Sequence, residues 1–169
     1  MPTVSPKRLA DALSKQESLS PQGWLDRCDE LAVEQRVMFL ELVTFARDGV
    51  TEEQLRELIG FLSVLQYLAK DLSQEVAAPV EMPEFSSAVE RVVLWFKAYQ
   101  EDWEKGVDTM IEDWLDEMDR TGEPVIWSLC TNTLQQHGIL QAPLASGMMI
   151  TLYAIADVFA KRCAKHIRG

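Results

Sequence analysis

The chain has 169 residues, 47% of them hydrophobic and 25% charged, with a formal charge of −11. At that length one domain buries about two-thirds of the surface its unfolded form exposes, and the apolar content excludes disorder except at the ends. Twenty-seven acids against sixteen bases repel nucleic acid and anionic lipid surfaces and favour a basic partner.

Cys28, Cys130 and Cys163 are far apart, odd in number and without a CxxC spacing, which suits a reducing cytoplasm. Residues Met1 to Lys7 lack the apolar core of a signal peptide. Ile139 to Ala156 carries no charge, but Gln141, Pro143, Ser146, Gly147 and Thr151 interrupt it, so it reads as a buried helix rather than a membrane span.

Ser5-Pro6 pairs an N-cap with proline at the first helical position and predicts a short helix to about Glu17; Ser20-Pro21 repeats the device. From Trp24 the apolar pattern runs through Leu31, Val37, Leu40 and Val43 to Asp48-Gly49, as one helix or as two with a break near residue 32. Thr51 and Gln54 form a capping-box pattern. The helix they open carries Leu55, Leu58, Leu62, Leu65, Ala69 and Leu72 on one face and is expected to end at Pro79. Residues 77–84, with Pro79 and Pro83, read as the main connection.

Ser87 and Glu90 predict another helix start, and the stripe Val92, Phe96, Trp103, Val107, Met110, Trp114 and Met118 continues to Asp119. Unbroken, that helix would be about 48 Å long, so it either bends near Gly106 or offers Trp103 and Trp114 to a partner, including a second copy of the chain. Glu123-Pro124 opens a shorter helix up to His137-Gly138. A final apolar helix runs from near Pro143 to about His166 and ends in Lys161, Arg162, Lys165 and His166, whose charge suits the helix C-terminus. No strand pattern or internal repeat is present. The expected fold is all-α: residues 1–169 as a single domain, a bundle of about six helices with the apolar C-terminal helix central. Leu58, Leu62, Leu65, Val92, Phe96, Leu152, Ile155 and Phe159 are its expected core.

The densest chemistry is an acidic ladder. Glu101, Glu104, Asp108, Glu112 and Asp116 share one helical face, flanked by Asp102, Asp113, Glu117 and Asp119, and their mutual repulsion calls for compensation by cations, by a basic partner or by the basic C-terminal helix. Glu112, Asp113 and Asp116 have the acid-acid-x-x-acid spacing that holds magnesium on helices, although a second cluster, drawn from Glu52, Glu53, Glu57 or Glu75, would have to face them. The two histidines lack metal-ligand spacing: His137 reads as a helix-end residue and His166 as exposed. Asp157 is the one acid in the apolar helix, and Lys161 or Arg162 on the next turn is its expected partner, with a functional carboxylate in a cavity as the alternative.

Met148, Met149, Tyr153 and Phe159 beside Trp95, Phe96 and Trp127 could line a pocket for an apolar ligand. No nucleophile elbow or phosphate loop is present. The sequence therefore favours a non-enzymatic adaptor or inhibitor that sets the acidic face at 101–119 against a basic protein surface, without a cofactor. The alternatives are a magnesium-dependent hydrolase or lyase of a phosphorylated substrate, using Glu112, Asp113 and Asp116, and a carrier of an apolar ligand.

Overall fold

The computed structural model describes residues 4–98, 123–142 and 144–168. The protein is all-α. Among the described residues seven helices follow one another: α1 (Pro6–Glu17), α2 (Pro21–Glu34), α3 (Arg36–Thr44), α4 (Glu52–Leu72), α5 (Met82–Ala98), α6 (Pro124–Leu134) and α7 (Ala145–Arg168), with 3₁₀ turns at Phe45–Asp48 and Ile139–Gln141. None of the described helices is long and apolar enough to cross a membrane.

The starts of α1, α2 and α4 follow from local chemistry. Ser5 and Ser20 accept the backbone N–H of Arg8 and Gly23 at 3.2 and 2.9 Å, and proline occupies the next position, where no intrahelical N–H is needed. At α4 both capping-box bonds form: Gln54 N–H to Thr51 Oγ1 at 3.1 Å, and Thr51 N–H to Gln54 Oε1 at 3.0 Å. Gln54 also donates its amide to the His137 carbonyl at 2.9 Å, which ties the start of α4 to the loop after α6. After α3 the chain tightens into a 3₁₀ turn and stops at Gly49, whose φ of 92° is the left-handed conformation expected of a terminating glycine.

Three boundaries differ from the sequence expectation. The break after Trp24 falls at Gln35 rather than near residue 32. Helix α4 ends at Leu72, well before Pro79, because Ser73 turns extended and its hydroxyl accepts the Val76 N–H at 3.1 Å. Helix α5 starts at Met82 and not at Ser87: Pro83 lies in the first turn, and Phe85 N–H already bonds the Glu81 carbonyl at 3.1 Å. Ser87 is thus an interior helix residue.

Helix α7 is central. Every residue from Thr151 to Ala160 is buried, and α3, α4, α5 and α6 pack around it. A helix that is apolar on all sides is stable only when enclosed in this way. The core contains Leu58, Leu62, Leu65, Val92, Leu152, Ile155 and Phe159 as expected, while Phe96 is partly buried against it. Three contacts show that α5 runs antiparallel to α7: Glu84 with Arg162, Arg91 with Asp157, and Phe96 with Tyr153. Likewise α1 runs antiparallel to α4, from Arg8–Asp71 at 2.8 Å to Gln16–Ser63 at 2.5 Å.

Two buried polar knots complete the interior. Arg27, 2% exposed, stacks on Tyr67 with its guanidinium 3.7 Å from the ring centre; it donates to the Ser63 hydroxyl and carbonyl at 2.8 and 2.9 Å and to Glu30 at 3.0 Å. Gln35, fully buried, donates to Gln66 Oε1 and to the carbonyls of Ala77 and Ala78, and accepts the Val80 N–H at 2.9 Å. One side chain at a helix break thereby satisfies the Val80 N–H and shares the Ala77 and Ala78 carbonyls of the α4–α5 connection with Gln66 and Arg162. Gln35→Ala is expected to lower the unfolding free energy by about 3 kcal/mol in urea denaturation, since it removes the partner of the buried Val80 N–H and of Gln66 Oε1, whereas Gln22→Ala on the surface should change it by less than about 0.5 kcal/mol.

Candidate interaction surface

The acidic ladder Glu101, Glu104, Asp108, Glu112 and Asp116 lies outside the described residues, as do Asp113 of the magnesium alternative and Trp103 and Trp114. What the structure places is the frame at either end of the ladder. Helix α5 ends at Ala98 and the described chain resumes at Glu123. The ring centres of Trp95 and Trp127 are 6.4 Å apart in edge-to-face contact. Trp127 also stacks on Tyr153 of α7 at 6.1 Å, and Phe96 meets the same tyrosine edge-on at 6.5 Å. Such aromatic pairs add roughly 0.5–1.5 kcal/mol each beyond the area they bury. The indole N–H of Trp127 is buried and has no hydrogen-bond partner among the described residues.

Glu123 gives this end of the frame a second tie. Its backbone is left-handed, with φ of 61°, and it is buried, yet it does not cap α6 with its side chain. Its carboxylate instead accepts the Val4 N–H at 3.0 Å, joining the N-terminal residues to the start of α6. Met148, Met149, Tyr153 and Phe159, proposed from sequence to line a ligand pocket, are all buried on α7, and the rings of Trp95, Phe96, Trp127 and Tyr153 are in contact with one another.

Asp157 pairs differently from the sequence expectation. Its carboxylate meets neither Lys161 nor Arg162 but Arg91 of α5, which donates Nε and Nη2 to Oδ2 at 2.9 and 2.6 Å. Asp157 is 3% exposed, and a carboxylate so deep in the bundle takes its countercharge from the helix packed on it, since its own next turn leads toward the rim. Arg162 is occupied elsewhere: it forks onto Glu84 at 2.8 and 2.9 Å and donates to the carbonyls of Val76, Ala78 and Pro79. The basic end of α7 therefore holds the α4–α5 connection, and Lys161, Lys165 and His166 remain at its exposed edge, around an open hollow of ≈ 720 Å³ shared with Glu75 and Glu84.

The remaining acids considered as a second metal cluster are dispersed. Glu53 and Glu57 face the His137 ring at 3.6 and 3.2 Å near the start of α4, while Glu75 lies beyond its far end. Among the described residues no group of three histidine, cysteine or acidic side chains could hold a metal ion. His137 sits three residues past α6 with a left-handed backbone, φ 48°, rather than in the helix end itself, and His166 is exposed as expected.

The cysteines differ in their surroundings. Burial pushes the Cys130 thiol well above its ordinary range and Cys163 up to about 12, with the charge of Glu123 adding to the latter. Cys28 is half-buried and raised by burial and by Asp29, partly offset by Arg56 and Arg27.

Sequence reasoning passed over Arg27, Gln35, Ser63 and Gln66 because each is polar. The available signal was positional: Arg27 and Gln35 fall on the same helical stripe as Trp24, Leu31 and Met38, and Gln66 on that of Leu62 and Ala69. Comparison with known protein families, with characterised proteins and with solved structures gives no match.

Two outcomes test these surroundings. Arg91→Ala, which strands a buried carboxylate, is expected to cost about 3 kcal/mol of stability, while Arg91→Met combined with Asp157→Leu should come within about 1 kcal/mol of the parent by thermal and urea unfolding. Thiol labelling of the native protein near neutral pH should modify Cys28 first, with Cys130 and Cys163 reacting only after denaturation, as read by mass spectrometry of the labelled peptides.

Proposed function

We propose that the chain is a non-enzymatic interaction protein, an adaptor or an inhibitor, whose acidic stretch at 101–119 is set against a basic protein surface. The observation that carries this reading is the concentration of charge. Residues 99–122 hold nine acids against two bases, so that 24 residues account for −7 of the chain's −11. Such a density of one sign steers a cationic partner and accelerates its encounter, and it is felt over roughly a Debye length of 8–10 Å at physiological salt.

The frame around that stretch supports the same reading. The residues just before and just after it are locked together by the Trp95–Trp127 contact, and the second of these is stacked on the central helix through Tyr153. Anchoring both ends of a charged segment on a packed core limits the entropy lost when it meets a partner.

The test uses a lysine- and arginine-rich peptide and the full chain in calorimetric titration. Binding should weaken about tenfold or more as salt rises from low to above physiological concentration. Reversing Asp108, Glu112 and Asp116 to lysine should abolish it, while reversing Asp29, Asp48 and Glu75, which changes net charge equally, should leave most of it. Equal loss in both triple variants would reduce the effect to net charge and remove the acidic stretch as the binding element.

A further inference from the structure

We draw no further inference here: the strongest candidate, the open hollow of ≈ 720 Å³ at the C-terminal end of α7, carries nothing, because its exposed Lys161, Lys165 and His166 share the wall with Glu75 and Glu84, Arg162 is already bonded to Glu84 and to backbone carbonyls, and nothing in the structure shows what covers it.

Discussion

The structure is organised by the need to enclose one helix. From Thr151 to Ala160 α7 is buried on every side, and burying it removes from water a mostly apolar cylinder that no single neighbour can cover. Helices α3, α4, α5 and α6 surround it for that reason. The one ionised group in the buried stretch, Asp157, then needs a cation from the shell, and Arg91 supplies it across the α5–α7 contact. Because Glu84–Arg162 and Phe96–Tyr153 lie on the same antiparallel line, that ion pair also sets the register of α5 along the central helix.

Hydrophobic burial has no direction, and it would tolerate several ways of packing the outer helices. The polar interior removes that freedom. Arg27 reaches from α2 to Ser63 and Tyr67 of α4, and Ser63 in turn bonds Gln16 of α1, so three helices meet at one hydroxyl. Gln35 breaks the α2–α3 path and uses its amide to hold residues 77–80, with Gln66 bonding the same Ala77 carbonyl. Arg162 grips that connection from the other side. A slide of any one helix by a turn would leave several of these groups unpaired in a low-dielectric interior, at a cost comparable to a large part of the protein's net stability.

These ties also define the surfaces left for partners. The frame of the acidic stretch sits where α5 and α6 meet the first half of α7, and the cations at the other end of α7 are partly committed to holding the α4–α5 connection. Part of the positive charge on the described body is matched internally, as in Arg8–Asp71, Lys70–Glu34 and Arg91–Asp157.

Sequence alone determined what depends on neighbours within a few residues. Caps at Ser5, Ser20 and Thr51, the terminating Gly49, the helical spacing of the leucines in α4 and the all-round apolarity of the first half of α7 were all readable, because capping and amphipathicity are local bookkeeping of hydrogen bonds and of side-chain angle around an axis. Tertiary structure decided what depends on distant partners. The start of α5 at Met82, the break at Gln35 and the pairing of Asp157 with Arg91 in place of its own next turn each hinge on groups 31 to 66 residues away or on a connection whose path the sequence leaves open.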